Sequence, residues 1–186
     1  MAEERTFSLS EVARRLDVPQ HRLIHLCEKG VVVPDVHDAT GRGSSRVFST
    51  DNVLELAVAL RLREMMLPVT TAGAVVRVLD AFGERLTRDL PHSSLVENLR
   101  AKRAPDLRVI ISDGQTIYFS LGMPGQKPKL FGGIPLDQLS GNGKGLSGPI
   151  DAVQPAATSM LGGPEPSRFA RLEISITAIA RELPSD

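Results

Sequence analysis

The residues best suited to bind a ligand lie together in one short stretch, PQHRLIHLCEKGVVVP, from Pro19 to Pro34. Leu23, Leu26 and Cys27 fall at i, i+3 and i+4, so a helix there would turn one apolar face to a core and the other face to solvent. Cationic and imidazole groups on an exposed helix bind phosphate oxygens and base edges, although isolated charge clusters are most often only a solvated surface. The polar residues of this stretch are Gln20, His21, Arg22, His25 and Lys29.

The charge of the whole chain gives no general attraction for a polyanion. Its 186 residues include 22 Lys and Arg and 22 Asp and Glu, so the formal net charge is zero. Residues 1–83 hold ten Lys and Arg against eleven Asp and Glu. Binding to a nucleic acid therefore requires a local patch rather than bulk charge.

The sequence motifs do not favour a metal site, a phosphate-binding loop or a catalytic site. His21 and His25 have the i, i+4 spacing of helical metal ligands, but Cys27 is turned about 200° away from His25 on a helix and suits a small core position. The run SGNGKGLSG lacks the opening Gly of a phosphate loop, and Gly145 stands where Ser or Thr should hold magnesium. No nucleophile motif is present. We therefore expect no metal, no cofactor and no enzymatic activity.

Composition also bounds the class of protein. Cys27 is the single cysteine, so an internal disulfide is excluded and a reducing compartment is favoured. No run of 18 apolar residues exists, and the N-terminus is polar and acidic, unlike a signal peptide. We expect a cytoplasmic protein that does not enter a membrane.

The N-terminal elements have the order of a winged helix-turn-helix. Ser8 and Glu11 form a capping box for a helix over residues 7–16, and a second helix runs from Pro19 to Lys29 and ends at Gly30. VVVP then predicts a strand, followed by a polar hairpin wing whose return strand contains Val47 and Phe48. Two periodic helices follow. Ser49-Thr50-Asp51 offers several caps for the start of the first, which is stopped by Pro68, and the second is stopped by Gly83.

The remaining sequence predicts a small antiparallel β-rich module. A short helix is predicted over residues 92–102, a hairpin around Asp113-Gly114 and a third strand at PKLF. Between residues 122 and 166 there are ten Gly and seven Pro, which predicts a long irregular loop over 122–167. FARLEISITAIA alternates cleanly and predicts one strand. The expected fold class is α+β, divided into residues 1–83, a connecting helical segment over 84–106 and the β-rich module over 107–186.

Residues 7–82 resemble the DNA-binding domain of the MerR family of transcription regulators. The matching pieces are SLSEVARRLDVPQHRLIHLCEKGVVVP for the helix-turn-helix, GRGSSRVFSTDNV for the wing and LELAVALRLREMMLPVTTAGAVVRVL for the helix pair behind it. The resemblance covers about two-fifths of the chain. It implies that the second helix lies in the major groove and that the wing and neighbouring helices straddle the backbone.

The resemblance also implies which residues contact DNA. The family carries Arg at position 21 and a phosphate-contacting Tyr at position 25, where this chain has His at both. A neutral His donates one hydrogen bond but lacks the fixed charge of Arg, so binding weaker than is usual is expected. The implied DNA-contacting set is Arg15, Gln20, His21, Arg22, His25 and Lys29 in the two helices, with Arg42, Arg46 and Phe48 in the wing. Arg15, near the end of the first helix, would clamp a phosphate of the DNA backbone.

By this resemblance the expected function is a DNA-binding transcriptional regulator that acts at a promoter as a homodimer, with RNA polymerase or another regulatory protein as a further partner. The dimer contact would use the sheet, the short helix near Val96 to Ala101, or another protein. Two alternatives remain open from the sequence. One is an excisionase-like architectural DNA-binding factor, and the other is a protein-interaction module that has lost DNA binding.

Overall fold

The computed structural model describes residues 5–37, 45–88, 94–136 and 170–184. Helices dominate the N-terminal part. In chain order its elements are strand β1 (Thr6–Ser8), helices α1 (Leu9–Arg15) and α2 (Gln20–Glu28), strand β2 (Val47–Ser49), and helices α3 (Thr50–Glu64), α4 (Val69–Arg88) and α5 (Leu95–Arg100).

Strands follow in the C-terminal part, and a last helix closes it. The elements are β3 (Asp106–Ser112), β4 (Thr116–Gly122), β5 (Lys129–Pro135), β6 (Arg171–Ser175) and helix α6 (Ile176–Glu182). In the described ranges, the four strands form one antiparallel sheet of order β5-β4-β3-β6. The predicted α+β class, a helix-turn-helix followed by an antiparallel sheet, is confirmed.

Helix α3 is the centre of the hydrophobic core. Residues 52–60 and Leu62 are all buried, as is expected of a helix that is surrounded by other elements rather than lying on the surface. One cluster of buried apolar side chains joins α3 to both parts of the chain, including Leu23 of α2, Val109 of β3 and Ile176 of α6. The sheet and the helix-turn-helix are therefore packed on a common core.

The hairpin predicted at Asp113-Gly114 is confirmed. Asp113 and Gly114 have φ of 52° and 66°, and they connect β3 to β4. The third strand predicted at PKLF is also present as β5, although it lies inside the stretch predicted as an irregular loop. Gly132 explains the discrepancy, since a Cβ there would lie 2.9 Å from the carbonyl oxygen of Ile117, so glycine permits close strand pairing. Residues 137–167 of the predicted loop lie outside the described residues.

One predicted strand is wrong and another is wrong in part. VVVP is not a strand, because the Val31 N–H donates to the Leu26 carbonyl at 2.9 Å and so completes the end of α2. The antiparallel partner of β2 is β1, with Phe7 opposite Phe48. The predicted strand over 169–180 ends at Ser175, whose hydroxyl accepts a hydrogen bond from the Ala178 N–H at 3.1 Å and caps α6.

The predicted helix end at Gly83 is also wrong, because α4 continues to Arg88. A Cβ at Gly83 would lie 3.1 Å from a methyl carbon of Leu95, so the small residue lets α5 approach α4. The short helix predicted over 92–102 is confirmed as α5. The division of the chain at residues 83 and 106 stays a prediction.

Candidate nucleic-acid interface

The first helix is fixed by the capping box that the sequence predicted. The Ser8 N–H donates to a Glu11 carboxylate oxygen at 2.7 Å, and the Glu11 N–H donates to the Ser8 hydroxyl at 3.4 Å. The hydrogen bond from the Ser8 side chain lowers the pKa of Glu11, so its carboxylate stays charged near the positive end of α1. The start of the helix-turn-helix is thus determined locally.

The tight turn between α1 and α2 depends on one residue with left-handed backbone. Asp17 has φ of 51°, a conformation that Asp tolerates better than most residues. The Val18 N–H returns to the Ala13 carbonyl at 3.0 Å and closes the end of α1. Extended Pro19 then precedes the first turn of α2.

Helix α2 has one buried face and one exposed face. Leu23 and Leu26 are buried on the core side. His21, His25 and Lys29 are exposed and four residues apart, so they form one stripe along the opposite side. Gln20 and Arg22 are also exposed in the first turn of α2. All five residues that the sequence predicted in this helix are thus exposed, and His21, His25 and Lys29 share one stripe, whereas Gln20 and Arg22 point about 200° from one another.

The exposed face of α2 carries mixed charge. Lys29 and Arg22 supply two fixed cations, while Glu28 is also exposed next to Lys29. Gly30 follows with φ of 65°, which ends the helix and directs the chain toward the wing. The face can donate several hydrogen bonds to phosphate or base edges, with modest net positive charge.

The base of the wing is held by a network that sequence reasoning missed. Asp35 accepts hydrogen bonds from the N–H and hydroxyl of Ser49 at 3.1 and 2.5 Å. The Asp35 N–H donates to the Asn52 side-chain oxygen at 2.9 Å, and the Asn52 amide donates to the Val33 carbonyl at 3.4 Å. The Ser-Thr-Asp sequence signalled caps for α3, but nothing local indicated that Asp35 would join them.

Two backbone hydrogen bonds between His37 and Val47, at 3.2 and 2.8 Å, close this base at its outer end. Arg46 precedes β2 directly and is half-buried, so it emerges at the root of the wing. Arg42 lies outside the described residues. The return strand predicted at Val47 and Phe48 is confirmed as β2.

Phe48 is placed differently from the prediction. Its side chain is fully buried, with 0% of its surface exposed, and it pairs across β1 and β2 with buried Phe7. A side chain in the core cannot reach DNA, so Phe48 belongs to the hydrophobic support of the wing. The MerR resemblance suggested a DNA contact because Phe48 occupies a position in the wing. The burial of its side chain gives Phe48 a role in the core instead.

The described contacts of Arg15 lie outside α2. Its guanidinium lies over the ring of Phe7, 4.5 Å from the centroid, and donates to the Pro184 carbonyl at 3.3 Å. The sequence predicted a phosphate clamp at this position. The described contacts of Arg15 instead join α1 to the C-terminal end of the chain.

In the residues that the structure describes, no three or more His, Cys, Asp or Glu side chains are grouped so that they could hold a metal ion. Cys27 is half-buried and packs against the core. The same part of the chain contains no helix with the length and apolar character needed to cross a bilayer.

The fold and the exposed helix define the class: an N-terminal helix-turn-helix with a wing base, of the kind that reads DNA. Residues 7–77 match the family described as MerR HTH family regulatory protein, a finding consistent with a MerR-type DNA-binding segment. The match ends within α4 and leaves the sheet and α6 uncovered. It supports a DNA-binding transcriptional regulator. Comparison with curated proteins gave no match.

Proposed function

We propose that this protein regulates transcription by binding double-stranded DNA through the exposed face of α2, supported by the wing. The observation that carries the proposal is the stripe of His21, His25 and Lys29, which is exposed on a helix whose opposite face is anchored in the core. A rigid helix with donors along one side has the form that enters a major groove.

The charge distribution supports local contact rather than general attraction. Arg22 and Lys29 would bind phosphates, and Arg46 at the root of the wing would reach the backbone next to them. His21 and His25 would donate single hydrogen bonds to phosphates or base edges. Because few fixed cations take part, we expect moderate affinity with a salt slope that corresponds to only a few neutralised phosphates.

The test begins by selecting bound fragments from genomic DNA with the purified chain. Binding of the selected fragment and of random duplex is then measured over a salt series. Lys29→Ala is expected to weaken binding to the selected fragment and to random duplex, and to reduce the salt slope by about 1. Lys102→Ala, which changes an exposed lysine after α5, serves as the matched control. Equal loss in the two variants would place the interface elsewhere.

His21→Arg provides a complementary gain-of-function test. It restores the residue that the MerR resemblance implies and adds a fixed charge to the stripe. We expect tighter binding and a salt slope steeper by about 1. If the variant bound no better than wild type at low salt, position 21 would not face the DNA.

We propose that the active form is a homodimer that acts at a promoter, as the MerR resemblance implies, with RNA polymerase as a further partner. The apolar residues of α5, Leu95, Val96 and Leu99, are buried within the chain, so a dimer through this helix would have to compete with the core. Light scattering with and without the selected fragment measures the stoichiometry.

The same measurements separate the remaining alternatives. An interaction module that has lost DNA binding would show no salt-dependent affinity for random duplex. An excisionase-like factor would bind DNA, but its footprint would lie at sites without a promoter. We further propose that the protein acts by binding alone, without catalysis.

A further inference from the structure

The C-terminal end of the chain lies against the helix-turn-helix, far outside the segment matched by the MerR family. A side-chain nitrogen of Arg15 in α1 donates to the carbonyl oxygen of Pro184, a contact that spans 169 positions of sequence. Arg61 of α3 also pairs with Glu182 of α6, with an N to O distance of 3.5 Å. Two helices of the N-terminal part thus contact the last residues described.

The last turn of α6 is held by a third arginine, from α5. Arg100 donates through Nε to the Ala180 carbonyl at 2.7 Å and through Nη2 to the Leu183 carbonyl. The final carbonyl groups of a helix have no partners within it and carry partial negative charge, so a guanidinium is well suited to this position. These bonds fix where α6 ends and therefore where Pro184 lies.

A groove of about 290 Å³ marks the junction between α6 and the helix-turn-helix. Leu16 and Val18, on either side of Asp17 in the turn, line this groove together with Arg22 of α2. Leu183 and Pro184 line the same groove. The end of α6 is therefore next to the turn that sets the angle between α1 and α2.

Helix α6 is itself fixed to the sheet. The hydroxyl of Thr177 accepts a hydrogen bond from the Leu107 N–H at 2.8 Å and donates to the Pro105 carbonyl at 2.9 Å. Ile176 and Ala180 are fully buried. A displacement of the sheet would consequently move the end of α6, and with it the contact to Arg15.

We infer that residues 182–184, which end and directly follow α6, position the turn between α1 and α2, with Arg15 and Arg100 as the positioning residues. The inference rests on the proposed function insofar as it concerns DNA. It means that the β-rich part takes part in DNA recognition without touching the DNA. Each hydrogen bond contributes modestly, so its loss would loosen the turn rather than unfold the protein.

The decisive variant is Arg100→Met in the full chain, with Arg103→Met, an exposed arginine three residues further on, as the matched control. Affinity for the selected fragment is expected to fall by about 3- to 10-fold, with the salt slope unchanged, because no phosphate contact is removed. Amide hydrogen exchange should become faster in α1 and α2 relative to α4. The control should match wild type in both measurements.

Arg15→Met decides between two roles for that residue. An unchanged salt slope with lower affinity supports positioning, whereas a slope reduced by about 1 identifies the phosphate clamp that the sequence predicted and overturns the inference for Arg15.

If Arg100→Met fails to fold, Arg100→Lys keeps one cationic donor at the end of α6 and is expected to show a smaller change in the same direction.

Wild-type protein that binds no DNA would defeat the proposed function, but the exchange measurement would still test the contact itself. Faster exchange in α1 and α2 of Arg100→Met supports positioning in that case too. Unchanged exchange together with unchanged affinity in a folded Arg100→Met overturns the inference.

Discussion

Asp51, in the first turn of α3, accepts a hydrogen bond from the backbone N–H of Val96 in α5 at 3.0 Å. The same carboxylate accepts from the Leu95 N–H at 3.0 Å and from the Ser94 hydroxyl at 2.8 Å. The sequence marked Asp51 as a candidate cap for its own helix, α3. In the structure Asp51 caps α5, and Val96 of that helix lies 45 positions further along the chain. This contact ties the matched segment to the part of the chain beyond it.

Asp51→Ala is expected to lower the free energy of unfolding by about 1–3 kcal/mol, because it leaves the first N–H groups of α5 without their charged acceptor. Urea unfolding followed by circular dichroism measures the change. Glu28→Ala, at an exposed carboxylate of α2, is the control and should stay within about 0.5 kcal/mol of wild type. A result for Asp51→Ala within that same range would show that water replaces the cap at no cost.

Glu55 lies near the same junction, in a small cleft between α3, α4 and α5 that Asp51, Asp80 and Glu84 also line. Burial raises the pKa of Glu55 to about 8, and the nearby carboxylates Asp80, Asp35 and Asp51 add to the rise. The Asn52 amide donates a hydrogen bond to the Glu55 carboxylate at 3.0 Å, which acts against this rise by lowering the pKa of Glu55. The pKa of Asp80 is raised as well, chiefly by burial.

The raised pKa values of Glu55 and Asp80 predict that the free energy of unfolding declines as pH rises. The folded state holds the Glu55 proton between the ordinary pKa of 4.5 and about 8, whereas the unfolded state has released it. The contribution of protonated Glu55 to the free energy of unfolding is therefore complete below pH 4.5. It is lost progressively as pH rises toward about 8, at up to about 1.4 kcal/mol per pH unit.

Glu55→Gln should remove most of that slope and stabilise the protein at pH 8 relative to wild type, since Gln stays neutral and keeps an oxygen for Asn52. Urea unfolding from pH 5 to 9 makes the comparison, with Glu28→Gln as the control. Parallel stability curves for Glu55→Gln and wild type would mean that Glu55 ionises normally in the folded protein.

Phe48→Ala is expected to reduce the free energy of unfolding by about 3–5 kcal/mol, because it opens a cavity in the core beneath the wing. Val36→Ala, at a side chain that is 46% exposed, should cost much less. Thermal denaturation provides the measurement. A stable Phe48→Ala protein with selectively weaker DNA binding would return Phe48 to the contacting set.

Arg46→Ala is expected to weaken DNA binding almost uniformly across sequences and to lower the salt slope by about 1, as the loss of one phosphate contact requires. Competition with random duplex checks that the loss is independent of sequence. Arg103→Ala, on the turn after α5, serves as the control. Unchanged affinity would show that the root of the wing does not approach the backbone.

The parts of this protein that local sequence predicted are those whose stabilising contacts are local. The Ser8 and Glu11 capping box, the two faces of α2 and the Asp113-Gly114 hairpin each depend on residues a few positions apart. The strand predicted over 169–180 is present over Arg171–Ser175 and wrong from Ile176 onward. Ile176, Ile179 and Ala180 have the i, i+3, i+4 spacing of a helix, and Ile179 lies outside the alternating pattern. Its neighbours in space, Leu107 and Pro105, favour the helix by bonding to Thr177.

Sequence alone determined that one short helix would carry cations and imidazoles opposite an apolar face, because that pattern is complete within α2. Only the tertiary structure decided which candidate residues remain on the surface. Phe48 and Arg15 have side chains that suit DNA contact, yet one is buried by β1 and the other is directed to Pro184. Burial and long-range hydrogen bonds depend on elements that are distant in sequence, and no local pattern encodes them.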